Sequence, residues 1–523
     1  MSPAAPQTPR VVAVLDMGTS AVRLEIAEIE PGGGIRRLEA LHQTVGLGKD
    51  TFTTGRIRRQ TTEQCVAVLR SFRHVLEAYH ITAPENIRAV ASSAVREAVN
   101  KDAFLDRLTI ATGLDVQVID EAETNRALYF SINPLLQTQS AWADEDLLVF
   151  EVGGGSTEVP LVRNRRVIFA QTYRLGSLRV REMLEDFHAP AARLPRLMHH
   201  QIERVIAQIH RSVPLIGRPR LLALGGDARF AAAQLERVPQ PLKPAALKLA
   251  ALDGLTQRLL GASVDEIVRT YQMAYPDAET IGPALMTYGL LARAFQCDVL
   301  HVCDATLRDG LLAELAARDL DIQDYAQQLL AAAGELALKY GCDERHFRFV
   351  EAVCVLLCRA LANELRLTPR DHLLLRLAAL LHDAGLFVSN RAHHKHSMYL
   401  IMNCDLFGLS AREKLLVALI ARYHRKAAPR TAHEGFNRLS RAERIQVSQL
   451  AAILRVADAL ERDDGLQPES LAAEVTEDRL VLTTSQQIDL SLERLALQAK
   501  APFFRQITGL DVVLRLRRAE EIP

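Results

Sequence analysis

Two short runs hold the residue types best suited to chemistry in this chain: Asp16-Met17-Gly18-Thr19-Ser20 and Glu151-Val152-Gly153-Gly154-Gly155-Ser156-Thr157-Glu158. Glycine lets backbone N–H groups approach phosphate oxygens closely. Flanking hydroxyls add hydrogen bonds, and carboxylates offer a magnesium ion a foothold. Two such turns facing each other would clamp a phosphoanhydride.

Each turn needs a rigid mount. The apolar runs Val11 to Leu15 and Leu147 to Phe150 predict buried strands leading into the turns. The chain then resumes as strand, Ala21 to Ile29 and Val159 to Val162, so the unit is strand–turn–strand rather than the strand–loop–helix of a P-loop. Strands are also expected at Ile87 to Val95, Val116 to Ile119, Val167 to Tyr173 and Leu221 to Leu224, with helices at Arg56 to Tyr79 and Ala191 to Ser212. Recurrence of the turn unit predicts two related α/β halves with a cleft between them. After Asp319 long helical patterns take over, as in Phe347 to Leu365 and His372 to Leu381. Alternation then returns in Ala472 to Leu516. The expected segments are 1–132 and 133–315 for the two halves, 320–468 for a helical domain and 470–523 for a small α/β cap.

Lysine and arginine (63) balance aspartate and glutamate (63), which argues against a dedicated nucleic-acid coat; a polyanion would have to be met by a local basic patch. Seven cysteines without framework spacing predict reduced thiols in a cytoplasmic protein, with Cys354 and Cys358 as core packing on one helix face. Met1 to Pro9 lacks a leader-like pattern and no apolar run is long enough to span a bilayer, so a soluble intracellular protein is expected.

The order of further motifs is distinctive. Ala91-Ser92-Ser93-Ala94-Val95-Arg96-Glu97 comes first, then the Gly-Gly-Gly-Ser-Thr-Glu turn, Leu175-Gly176-Ser177-Leu178-Arg179 and Leu307-Arg308-Asp309-Gly310. Later come His393-His394-Lys395-His396-Ser397 and Arg422-Tyr423-His424-Arg425-Lys426. Over nearly its whole length the chain resembles the exopolyphosphatase and guanosine pentaphosphate phosphohydrolase (Ppx/GppA) family. The resemblance implies an actin-like (ribonuclease H-like) two-domain ATPase fold, then an all-helical HD-type domain and the small cap, commonly as a homodimer. It implies Mg²⁺-dependent removal of terminal phosphate from inorganic polyphosphate, or of the 5′ γ-phosphate from guanosine pentaphosphate. Carried over by motif, substrate contacts fall to Asp16, Gly18, Thr19, Ser20, Arg23, Ser93, Gly153, Gly154, Gly155, Ser156, Thr157, Gly225 and Gly226. Catalytic roles fall to Arg96, Glu123, Glu151 and Glu158.

The chain departs from the family pattern near the chemistry. The first turn loses a hydroxyl at Ala21. Glu151 replaces an aspartate, and a displacement of roughly 1 Å can cost on the order of 100-fold. Thr124 stands where the catalytic glutamate is usual, with Glu123 one residue early; losing a positioned base costs ~10²–10⁴-fold. Asp227 replaces a threonine after Gly225-Gly226, and a carboxylate about 4 Å from phosphate would be repelled by ~4 kcal/mol unless a cation intervened.

A second candidate lies in the helical region. His346, His382-Asp383 and Asp458 follow the order of HD phosphohydrolases, whose imidazole and carboxylate ligands can hold a divalent transition metal. His393 to His396 with Arg422, Arg425 and Lys426 form candidate basic segments beside it; Arg56 to Arg59 and Arg163 to Arg166 are expected as solvated turns, although either could extend a polyanion track. Three readings follow: phosphoanhydride hydrolysis in the N-terminal cleft, metal-dependent phosphohydrolysis in the helical domain, or a regulator that binds polyphosphate or an alarmone without turnover.

Overall fold

In the computed structural model, β1 (Arg10–Met17) carries the unbroken apolar run Val11 to Leu15 because both of its faces are covered. Ala13, Leu15 and Met17 point into one core with Val22, Leu24 and Ile26; Val12 and Val14 point into another with Ala127, Leu311, Leu312 and Leu315. The structure describes residues 9–139, 142, 145–186, 193–240, 242–317, 323–404, 406–425, 427–461 and 465–517. Two compact units divide between residues 322 and 323, beside the undescribed stretch in which the helical character is expected to begin.

The first unit holds two sheets. One contains β1, β2 (Ala21–Ile29), β3 (Ile35–Thr44), β4 (Ile87–Ala91) and β5 (Val116–Val118), in the order β3-β2-β1-β4-β5. The other contains β6 (Leu147–Val152), β7 (Thr157–Arg163), β8 (Arg166–Tyr173), β9 (Arg220–Leu224), β10 (Ala245–Lys248) and β11 (Val299–Val302), in the order β10-β11-β9-β6-β7-β8. The strands β8-β7-β6-β9-β11 repeat the first sheet's order and its pattern of two antiparallel then two parallel pairings. The expected related halves are thus visible as one topology built twice, with β10 added at an edge.

Where β4 ends, the expectation needs correction. Ile87 to Val95 is not one strand: β4 stops at Ala91, where its pairing with β1 ends at Met17, and Ser93–Glu97 is a short helix. Two segments join the halves. Helix Glu121–Thr138 leaves the first sheet and packs on β7 and β8; helix Leu307–Ala317, at the end of the expected 133–315 segment, packs back on the first sheet. They cross so closely at Gly310 that a Cβ there would lie 1.7 Å from the Ala127 carbonyl oxygen.

In the second unit, side-chain caps mark where several helices start. Thr368, Ser410 and Ser440 form reciprocal capping boxes with Asp371, Glu413 and Glu443, opening Pro369–Leu381, Ala411–Arg422 and Arg441–Ala459. The expected helix Phe347 to Leu365 is divided into Glu344–Ala360 and Ala362–Leu365. The C-terminal segment forms a sheet β12 (Leu471–Val475), β13 (Arg479–Thr484), β14 (Asp511–Leu516), with helix Ser491–Thr508 crossing between its parallel pair and packing on Arg441–Ala459. Among the described residues no helix is long and apolar enough to cross a membrane. The cysteines are unpaired and buried, Cys354 and Cys358 in the core as expected.

Candidate active site

The same hydrogen bond closes both hairpin turns: Gly18 N–H donates to the Ala21 carbonyl (3.0 Å) and Gly153 N–H to the Ser156 carbonyl (2.9 Å). The turns meet face to face. A Cβ on Gly154 would fall 2.3 Å from Thr19 Oγ1, and one on Gly155 would fall 2.5 Å from Ser93 Oγ. Only glycine permits that approach. Behind the second turn, Gly176 packs on Gly154 and Arg179 donates to the Gly155 carbonyl (2.8 Å) while its guanidinium lies 4.2 Å over the Phe52 ring.

Between the turns is a cavity of about 220 Å³. Of the residues expected to contact substrate, Asp16, Gly18, Thr19, Ser20, Arg23, Ser93, Gly153, Gly154, Gly155, Ser156, Gly225 and Gly226 line it, as do Arg96, Glu151 and Glu158. Thr157 does not. It is buried, and its hydroxyl donates to the Leu175 carbonyl, bracing the turn from behind.

Glu123 also lies outside the cavity, against expectation. It is the third residue of helix Glu121–Thr138, and its carboxylate accepts the Asp120 N–H (3.0 Å) while Asp120 accepts from Glu123 N–H (2.9 Å). Capping the helix uses the group that a register shift would have offered as a base. Thr124, the next residue, does line the cavity, its hydroxyl donating to the Asp120 carbonyl (2.8 Å).

The motif-based set omits several cleft residues. Arg229 follows the Gly225-Gly226 turn on the first turn of helix Gly226–Leu235, close enough to that motif to be found from it. Arg308 stands in the Leu-Arg-Asp-Gly motif and bridges Glu25 (3.0 Å) and Asp16 (3.5 Å). Asp277 enters from helix Tyr275–Ala294, for which no sequence signal points at the cleft. Gly225 is the one turn residue here with a left-handed backbone (φ +101°), and Tyr288 packs beneath it, accepting from Val152 N–H (3.0 Å).

The charges are held in an unusual balance. Glu151 and Glu158 are cross-strand partners in β6 and β7. Burial, opposed by Arg229, pushes the Glu151 carboxyl up to about 7; burial, with the negative Glu151 beside it, pushes Glu158 up to about 8, although Ser156 Oγ donates to it at 2.6 Å. Burial and then Asp277 lift Asp227 to about 7. Near neutral pH Asp227 can therefore hold a proton and donate to a phosphate oxygen rather than repel it. The Ala21 departure also has a local reading. Ala21 is buried in β2, and its counterpart Ser156 binds Glu158, whereas the counterpart of Glu158 in the first hairpin is Arg23, which needs no donor.

Comparison of the whole chain with known proteins identifies its family. Residues 25–319 match the Ppx/GppA phosphatase family and residues 330–502 match domain III of that family. The chain belongs to the Ppx/GppA phosphatase family. A curated relative from Photobacterium profundum, guanosine-5′-triphosphate,3′-diphosphate pyrophosphatase, is 22% identical over 486 residues, covering 90% of this chain and 91% of the relative. Among solved structures, an exopolyphosphatase from Cytophaga hutchinsonii covers 59% of this chain and 98% of its own at 22% identity, with a TM-score of 0.52. A Ppx/GppA family member from Aquifex aeolicus covers 60% and 100% at 22% identity, with a TM-score of 0.50. This Ppx/GppA phosphatase therefore has the family's actin-like α/β fold in its first unit, and the family's activity, phosphate-releasing hydrolysis, fits the cleft built there.

In the second unit the expected ligands also converge. His346 Nε2 lies 3.2 Å from His382 Nε2 and 3.7 Å from both Asp383 Oδ2 and Asp458 Oδ1. Of the basic residues expected beside them, Arg425 lines the same pocket, Arg422 donates to the Glu434 carbonyl (3.2 Å), and Lys426 lies outside the described residues. The Arg163 turn is tied to Asp146.

Proposed function

We propose that the cleft of the first unit removes the terminal phosphate of inorganic polyphosphate, with guanosine pentaphosphate as a second substrate, and that Mg²⁺ assists. The observation that carries this is the pair of facing glycine turns, Thr19 against Gly154, over a cavity edged by Arg23, Arg96, Arg229 and Arg308. Glycine turns and guanidinium groups that line one small volume suit a phosphoryl group whose charge spreads over equatorial oxygens.

The donor set fits Mg²⁺. Glu151, half-buried, and Glu158, buried, are hard oxygen donors set opposite each other, so an ion there would relieve both. When bound, Mg²⁺ would neutralise phosphate charge beside this pair. The protein's own groups do the remaining work. The turns fix the phosphate, the arginines offset its charge, and Glu158, oriented by Ser156, takes the proton of an aligned water when ionised, a form that prevails above about pH 8. Glu123 is committed to capping, which leaves Glu158 as the base candidate.

Support for the HD-type reading of the helical domain is the His382-Asp383 pair just after helix Pro369–Leu381, facing His346 and Asp458. Reduced, buried thiols support a cytoplasmic setting.

Phosphate release from long-chain polyphosphate with Mg²⁺, compared in wild type, Glu158→Ala and Asp383→Ala, tests the main assignment. Release abolished only in Glu158→Ala is expected. A wild type that releases none would overturn it.

A further inference from the structure

We propose that the second unit holds a two-metal centre, bridged by Asp383, that hydrolyses a phosphate ester or anhydride of about nucleotide size, independently of the N-terminal cleft. Two trios of donor atoms lie side by side: His346, His382 and Asp458, and Asp383, His393 and His424. His393 opens helix His393–Asn403, and His424 lies just after helix Ala411–Arg422. Their Nε2 atoms are 3.2 Å apart, and 3.4 and 3.7 Å from Asp383 Oδ1. The other oxygen of the same carboxylate, Oδ2, faces His346 and His382 at 3.7 Å each. One aspartate thus turns one oxygen to each group, as a bridging ligand does.

Hydrogen bonds fix the imidazole tautomers. Nδ1–H of His382 donates to the Ala379 carbonyl (2.7 Å), that of His424 to the Ala421 carbonyl (2.7 Å) and that of His393 to the Asn390 carbonyl (3.3 Å), while His346 Nδ1 is held by Glu461. A carbonyl can only accept, so the neutral rings direct Nε2 lone pairs inwards. Two pairs of such nitrogens, each 3.2 Å apart, cannot satisfy one another by hydrogen bonding when neither carries a proton. A cation at each pair resolves the conflict. Anchoring of the distal ring nitrogen is also what orients metal-binding histidines. Asp458 keeps Oδ1 towards His346 while its Oδ2 is held by Lys500.

The donor chemistry, imidazole with carboxylate, suits Mn²⁺, Fe²⁺ or a similar transition metal. A pocket of about 580 Å³ opens on the centre, in the range of small-ligand sites. Arg425 lines its wall among the carboxylates Asp343, Asp383, Asp458 and Glu461, whose charge bound cations would offset, and Phe347 and Leu386 give it an apolar side. Between two ions a water oxygen adds to phosphorus as the P–O bond to the leaving group breaks. The water gives up a proton and the leaving oxygen gains one, so no co-reactant is needed.

The test uses full-length protein, stripped with chelator, reloaded with Mn²⁺, desalted and read by metal analysis and low-temperature electron paramagnetic resonance. To remove the cleft's contribution it is run in wild type and in a Glu151→Gln, Glu158→Gln double variant. Two retained ions with an exchange-coupled multiline spectrum are expected in the double variant, with the same multiline spectrum in wild type, falling to one ion with an uncoupled signal when His424→Ala or His346→Ala is added to the double variant. Fewer than two ions in the double variant, or coupling that survives His424→Ala, would overturn the proposal. Should the histidine variants fail to fold, the ion count and spectrum of the double variant decide alone. Hydrolysis of bis(p-nitrophenyl) phosphate with Mn²⁺ is expected to persist in the double variant and to fall about 100-fold in Asp383→Asn; the opposite pattern would reject the activity.

Discussion

Glu151 and Glu158 occupy one cross-strand rung of the β6–β7 hairpin, where the matching rung of β1–β2 pairs Asp16 with Arg23. Of the two hairpins, one offsets its charge internally and the other concentrates it. Like charges directly opposite are destabilising in a ladder, so the second hairpin carries a strain that a bound cation or a proton relieves.

Glu158→Gln keeps the contact with Ser156 and removes the charge. Phosphate release is expected to fall ~10²–10⁴-fold, chiefly in kcat, while the melting temperature holds or rises. Steady-state kinetics beside thermal unfolding of the same preparation checks both halves of that statement.

Asp227→Asn should change how stability depends on pH. With its carboxyl raised from 3.8 to about 7, the folded chain keeps a proton that the unfolded chain releases, so stability falls as pH rises from about 4 to about 7 and is level above. Asparagine removes that slope. The variant should match wild type near pH 4 and exceed it at pH 8 by about 2 kcal/mol. Full conversion at about 1.4 kcal/mol per pKa unit is the upper bound, since the side chain opens partly on the cleft. Denaturant midpoints across that range provide the measurement.

Gly176→Ala would drive a Cβ to 2.3 Å from the Gly154 carbonyl oxygen and 2.4 Å from two backbone carbons, none of which can rotate away. The variant should lose about 1–3 kcal/mol of stability and, with the turn displaced, about 100-fold or more in kcat/KM. A calorimetric scan with a polyphosphate assay reads the two losses.

Thr124→Glu places a carboxylate in the cleft where the family pattern has one. Since Glu123 beside it is occupied with Asp120, the new side chain is the one free to reach a water, and phosphate release is expected to rise ~10-fold or more, within the range of a positioned base. The rate at pH 7 in wild type and variant is the comparison.

The hairpins are legible in the sequence because their information is local: β2 begins and ends at Ala21 and Ile29 as its apolar pattern indicates. Glu123 misleads even though its three-residue spacing from Asp120 is open to inspection; a capping box satisfies two backbone donors and outweighs a vacant catalytic role. The helix Ser93–Glu97 is hidden because β-branched and small residues around it continue the pattern of β4, and the strand ends only where its neighbour β1 does. Arg308 and Asp277 reach the cleft from segments far along the chain, and the meeting of His393 with His424 depends on how two helices pack. Tertiary placement of this kind leaves no periodic trace in the residues themselves.

The crossing of Gly310 over Ala127 sets how the two halves of this phosphatase are aligned. Both chain segments that connect the halves pass through that one contact, while each sheet keeps its own core. The halves touch again at the cleft mouth, where Thr53 donates to Glu182 (2.8 Å) and Arg179 lies over Phe52, so the Thr19 turn is set against Gly154 from both ends. A bulkier residue at position 310 would force the two helices apart and so misalign the facing turns from a distance, with no change in the cleft's own residues.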